Sequence, residues 1–124
     1  MKINKKLITG ACVLFVLVLS ATWYFFLRER IYVGEVDVIM NEKGFDKEEI
    51  VIKKGTRVNF INKDSGARWP ASDLHPSHGI FPEFDPQRPL KSGEVWSFVF
   101  EKVGTWGMHD HISPYYTGEI KVID

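Results

Sequence analysis

The eight residues Gly104-Thr105-Trp106-Gly107-Met108-His109-Asp110-His111 combine a turn into a strand, an aromatic anchor and a His-X-His pair. In an extended strand, side chains alternate between faces. His109 and His111 therefore share one face with roughly 7 Å between their Cα atoms, near enough for two imidazoles to converge on one ion. Asp110 must point the opposite way, and Met108 falls on that inward face as expected core. The other two histidines, His75 and His78, lie in Leu74-His75-Pro76-Ser77-His78-Gly79, a Pro- and Gly-marked turn able to bring both rings to one side. All four histidines thus occur in two tight pairs. Imidazole is the commonest metal ligand, and the opposing reading is a set of surface histidines without a shared role.

The rest of the chain from Val33 carries strand signals. Val36, Val38 and Met40 alternate with Asp37 and Ile39, and Asn41-Glu42-Lys43-Gly44 reads as a turn. Ile50 and Ile52, then Val58 and Phe60, mark two strands joined by the turn Lys53-Lys54-Gly55-Thr56, whose glycine can take positive φ. Glu94 to Phe100 sets Val95, Ser97 and Val99 against Trp96, Phe98 and Phe100. Glu101-Lys102-Val103-Gly104 then turns into the histidine strand, and Gly118 to Val122 supplies a last one. No amphipathic helix competes, so several short strands separated by turns predict an all-β sandwich.

Between Asn62 and Ser92 the pattern lapses into a segment containing Pro70, Pro76, Pro82, Pro86 and Pro89. Loops of this length in compact domains are generally functional or disordered, and Trp69, Leu74, Ile80, Phe81 and Phe84 are too apolar for disorder. The segment is expected to pack on the sandwich. It either covers a sheet edge, or delivers His75 and His78 to His109 and His111, or does both. Within it, Glu83 and Asp85 flank Phe84 and are read as loop caps or as ligands of a hard metal. Trp69, Trp96 and Trp106 are read as core or loop anchors.

The N-terminus is of another kind. Met1 to Lys6 is basic, Leu7 to Leu27 carries no charge, and Arg28-Glu29-Arg30 closes the run, a length that suits a membrane-spanning helix of about 20 residues. Residues 1–30 are therefore expected to form a signal anchor and residues 31–124 a single domain. A cleaved signal peptide is the rival, with Val18-Leu19-Ser20 offering a small residue at a cut, although the apolar run continues through Trp23, Tyr24, Phe25, Phe26 and Leu27. Lys2, Lys5 and Lys6 on the short flank place the N-terminus in the cytoplasm and the domain outside it.

Sixteen basic residues balance sixteen acidic ones overall. Lys2, Lys5, Lys6, Arg28 and Arg30, with the acid Glu29, belong to the first thirty residues, which leaves eleven basic against fifteen acidic in the domain. Such a domain has no basic footprint for nucleic acid. The single cysteine, Cys12, lies in the apolar run, so no thiolate serves a site in the domain and any metal there is held by nitrogen and oxygen. No nucleophile triad, phosphate loop or catalytic carboxylate pair emerges, and Ser77 beside the histidines is a weak sign of catalysis.

Ile50 to Asp64, followed by Gly104-Thr105-Trp106 and Gly118-Glu119-Ile120-Lys121-Val122, resembles the cupredoxin family from about Val36 to the end. The resemblance implies a Greek-key β-sandwich. It also implies a copper site of two histidines, a cysteine and often a methionine, yet here those positions fall on Arg68, Ser113, Asp110 and Tyr116. A blue copper centre needs the thiolate and is not expected. Arg68 and Asp110 are expected to pair in its place. The run Gly104 to His111 is also similar to the Gly-Thr-aromatic-X-aromatic-His-X-His run in domains of multicopper oxidases, whose histidines bind copper on the outer face, and His75-Pro76-Ser77-His78 resembles a partner motif. This implies His109 and His111 as copper ligands with His75 and His78 as their partners. A multicopper oxidase needs more than one such domain, so its trinuclear chemistry is not implied.

The expectation is an extracytoplasmic, membrane-anchored copper protein with an all-histidine, non-blue site for copper handling or electron transfer, acting with a redox or copper-delivery partner. Zinc would accept the same ligands. Two other classes stay open: a mononuclear metal enzyme with an open coordination position, and a metal-free interaction module.

Overall fold

The computed structural model describes residues 5–124. Lys2, part of the basic flank of the apolar run, lies outside the described residues. Helix α1 runs over Lys5–Leu27. Nine strands follow: β1 (Ile31–Tyr32), β2 (Glu35–Asn41), β3 (Gly44–Phe45), β4 (Glu49–Lys53), β5 (Thr56–Asn62), β6 (Pro70–Ser72), β7 (Val95–Phe100), β8 (Gly104–Asp110) and β9 (Thr117–Ile123).

They form two sheets, one in the order β1-β4-β9-β8-β6 and one in the order β3-β2-β5-β7. The period-two pattern decides what lies between them. Val36, Val38 and Met40 of β2, Val58 and Phe60 of β5, Ile50 and Ile52 of β4, and Ile120 and Val122 of β9 are buried in one apolar core. Met108 is fully buried there, as the alternation in β8 requires. Trp96 and Trp106 pack against the core as partly buried side chains.

The turn at Gly55 joins β4 to β5 as expected, with Gly55 at φ 81°, but the two strands lie in different sheets, so the chain crosses the sandwich there. The passage from β7 to β8 crosses in the same way. Alternation reveals that a strand has a buried face but not which sheet receives it. Consecutive strands pair antiparallel at β2–β3, where Met40 pairs with Phe45 across the turn at Glu42 and Lys43, and at β8–β9, where His109 pairs with Thr117.

The long segment after β5 does pack on the sandwich, and part of it joins a sheet. Pro70, Ala71 and Ser72 pair antiparallel with Asp110, His109 and Met108, which makes β6 the edge strand beside the histidines, a position where proline is tolerated. Phe81, Phe84 and Leu90 are buried in the core, and the Phe84 ring stacks on Trp96 with 10° between planes. Leu74 and Ile80, expected to pack, are instead 61% and 53% exposed. They flank the histidine turn, where the chain leaves the sheet and His78 is buried while His75 and Ser77 stay exposed.

Among the described residues no helix is long and apolar enough to cross a membrane. The segment expected as a transmembrane anchor forms helix α1. Its side chains from Val13 to Leu19 and from Trp23 to Phe25 include large apolar groups exposed by half or more.

Candidate metal centre

Strand β8 brings His109 to the face opposite Met108, and there the segment after β6 lies over it. The Asp73 amide donates to the Gly107 carbonyl at 3.0 Å, and the His111 amide to the Trp69 carbonyl at 2.8 Å. These two bonds fix the turn holding His75 and His78 against the end of β8. The four imidazoles meet as a result. Ring centres are 5.3 Å apart for His75 and His109, 4.7 Å for His75 and His111, 5.2 Å for His78 and His109, and 4.8 Å for His78 and His111. The rings thus form a closed circuit, with His109 and His111 6.1 Å apart across it.

The donor atoms are less even than the rings. His75, His109 and His111 each offer a ring nitrogen within 4.8 Å of the others, and this group does not include His78. His78 instead places Nε2 at 2.8 Å from His111 Nδ1. The four rings lie side by side, and three of them supply converging nitrogens.

Two carboxylates hold the outer side of the cluster. Asp73 Oδ1 lies 3.1 Å from His109 Nδ1, and Asp85 Oδ2 lies 2.6 Å from His78 Nδ1. A carboxylate only accepts, so each fixes the proton on Nδ1 and leaves the lone pair on Nε2. His109 is 2% exposed and its Nε2 is buried without a partner. An unpaired buried acceptor is costly to keep, and a metal ion is a partner that a neutral imidazole nitrogen suits. Burial pushes the His109 pKa below its usual value despite Asp73, and burial with the neighbouring His78 and His75 does the same to His111. Both rings are thereby kept in the neutral, ligating form.

The sequence offers Asp85 as a loop cap or a direct ligand. Its Oδ1 accepts from the Trp69 indole at 2.8 Å and the Gln87 amide at 2.7 Å, so it is an anchor for His78. Burial opposes its charge, but these bonds and that from His78 outweigh it and hold its carboxyl below the ordinary value. Glu83 is on the surface, paired with Lys102 at 3.1 Å. Asp73 went unnoticed in the sequence. Gly107 is its counterpart, since a Cβ there would overlap the Asp73 carboxylate.

A second polar cluster occupies the inner end of the sandwich. Arg68 Nη1 donates to Asp110 Oδ2 at 2.8 Å, both side chains being buried, and Arg68 also binds Asp64 and the Asn41 carbonyl. The guanidinium lies 5.1 Å above the centre of the Tyr116 ring, and the Ser113 amide donates to the Asp110 carbonyl at 3.0 Å. The four positions where the resemblance puts copper ligands therefore do meet, but they meet as an ion pair against an aromatic ring.

No family model matches the chain, and no curated protein does. Solved structures do. A purple cupredoxin from Nitrosopumilus maritimus shares 22% identity at a TM-score of 0.62, over 71% of this chain and 99% of that one. A reduced point mutant of amicyanin shares 22% at 0.62, over 73% and 83%. A Cu-containing nitrite reductase from Thermus scotoductus SA-01 shares 26% at 0.61 over 73% of this chain, which spans 22% of that longer one. In fold, the strands β1 to β9 form a cupredoxin-like domain.

Proposed function

We propose that this chain is a copper-binding cupredoxin-like protein, used for copper handling or electron transfer, whose all-histidine site comprises His75, His78, His109 and His111. The observation that carries the reading is the buried, partnerless His109 Nε2 in a ring surrounded by the other three imidazoles. Nitrogen donors without a thiolate suit a non-blue Cu(II) centre. Zinc would accept the same donors, but the solved relatives named for a metal are named for copper. When bound, copper would supply one-electron exchange or be the cargo itself. The chain's own part is to keep the imidazoles neutral, fix their tautomers through Asp73 and Asp85, and leave exposed His75 as the edge of the site that meets solvent or a partner. The anchor belongs to the same proposal: the uncharged run Leu7 to Leu27 tethers the domain on the outer side of a membrane, supported by that composition and by Lys2, Lys5 and Lys6 before it.

A second reading, a mononuclear metal enzyme with one open coordination position, is favoured by the three converging nitrogens. Cu(II) titration of the purified protein followed by electron paramagnetic resonance tests both. One equivalent is expected to bind with a nitrogen-rich, non-blue signal, and His109→Ala is expected to abolish that binding with the fold intact. Full affinity in the variant overturns the site. Azide that perturbs the signal would select the enzyme reading over the carrier.

A further inference from the structure

We propose that Asp85 and His78 form a relay that fixes the tautomer of His111, so that His78 acts on the metal through His111 and not as a ligand itself. The inference rests on the copper-site reading above and assigns roles within it.

The proton positions follow from the contacts in sequence. Asp85 Oδ1 is taken up by two donors, the Trp69 indole and the Gln87 amide, which leaves Oδ2 for His78 Nδ1 at 2.6 Å. The carboxylate has no proton to give, so in the neutral imidazole His78 Nδ1 carries the proton and His78 Nε2 holds a lone pair. That lone pair lies 2.8 Å from His111 Nδ1. Two lone pairs do not share such a distance. Two nitrogens bound to one ion stay roughly 3 to 4 Å apart, given metal–nitrogen bonds of about 2.0 to 2.1 Å. His111 Nδ1 must therefore donate, and its Nε2 becomes the free acceptor.

The relay produces at His111 what Asp73 produces directly at His109, where Nδ1 faces a carboxylate oxygen and Nε2 is left without a partner. His75, His109 and His111 are the histidines whose nitrogens gather, and His78 stands outside that group. The position of His78 is also specifically held: it is 5% exposed, its backbone takes φ 55° and its amide donates to the Leu74 carbonyl at 2.6 Å. A non-glycine residue keeps that left-handed conformation where its surroundings determine it. Carboxylate–histidine contacts of this type orient ligands and raise their basicity.

Asp85→Asn is the informative variant. A single amide oxygen would stay with the Trp69 and Gln87 donors, and the amide N–H₂ would face His78 Nδ1. The relay would then reverse, placing protons on Nε2 of both His78 and His111 and blocking the ligating atom. In full-length, metal-free protein, imidazole ¹⁵N shifts are expected to show Nδ1–H on His78 and His111 in the wild type and Nε2–H on both in Asp85→Asn. A wild-type His111 protonated on Nε2 overturns the relay whatever the copper result. With Cu(II) as the probe, pulsed electron paramagnetic resonance is expected to count three imidazoles in the wild type and still three in His78→Gln, with affinity lowered about 10- to 100-fold in both variants. A count of four that drops to three in His78→Gln makes His78 a ligand and sinks the inference while the copper reading stands. A wild type that binds no copper removes the copper reading, and with it the metal role of the relay, leaving the ¹⁵N result to judge the tautomers alone.

Discussion

Arg68 and Asp110 form a buried ion pair at positions where the family resemblance would put copper ligands. The guanidinium donates to Asp110 at 2.8 Å inside the sandwich, and Asp110 Oδ1 accepts from the Trp69 and Ile112 amides at 2.9 and 3.1 Å, so the carboxylate is fully engaged. Asp110→Asn keeps the shape and removes the charge. It is expected to lower stability by about 3 kcal/mol, the lower end of the range for a broken buried pair, because Asp64 still compensates Arg68. Chemical denaturation reads this directly, and an unchanged midpoint would show that the pair does not stabilise the fold. Asp64 adds a pH dependence of its own. The hydrogen bond from Arg68 holds its carboxyl below the ordinary 3.8. The stabilisation is therefore fully present above that value and lost as pH falls through the lowered one. The gap in urea midpoint between wild type and Asp64→Asn should stay constant from neutral pH to about 4 and close below it. The Arg68–Asp110 pair was legible in the sequence because the family resemblance assigns copper-ligand positions to both residues. Asp64 and the Asn41 carbonyl were not, since a turn's polar contacts are set by where the chain folds back and not by period or propensity.

At the level of elements, β8 and the segment after β5 build the site together. The His-X-His spacing foretold the shared face of His109 and His111, and the apolar content of the long segment foretold its docking. Strand β6 escaped notice because three residues opening on a proline carry no alternation to read. Asp73 and Asp85 escaped for a related reason: a carboxylate that orients a ring is chosen by proximity, and Asp73 sits thirty-six residues from the histidine it holds. Gly107 makes that proximity possible. A methyl group at this position would lie 3.1 Å from Asp73 Cγ and overlap its oxygen, and the flexible carboxylate would move before the strand did. Gly107→Ala is expected to fold normally and to weaken copper binding about 10- to 100-fold through the loss of the Asp73–His109 contact. A variant that binds as tightly as the wild type would mean that Asp73 does not govern His109.

For the whole molecule, the division between helix and sandwich sets the last expectation. The sandwich buries its apolar side chains between its own sheets, whereas α1 leaves Leu14, Phe15, Val16, Trp23, Tyr24 and Phe25 each more than 60% exposed. Large apolar side chains exposed in this number call for an apolar surrounding. The proposed tether answers that need, and the consequence is separable behaviour. Residues 31–124 retain every strand, the core and all four histidines, so this fragment should stay in aqueous solution, fold, and bind copper as the full chain does. The full chain, mixed with phospholipid vesicles and floated on a density gradient, should rise with the lipid and resist extraction by high salt, because burial of apolar surface is not screened by ions. Flotation that salt reverses would assign the attachment to Lys2, Lys5 and Lys6 alone. A full chain left at the bottom of the gradient would overturn the tether and leave the helix to be covered by another protein surface.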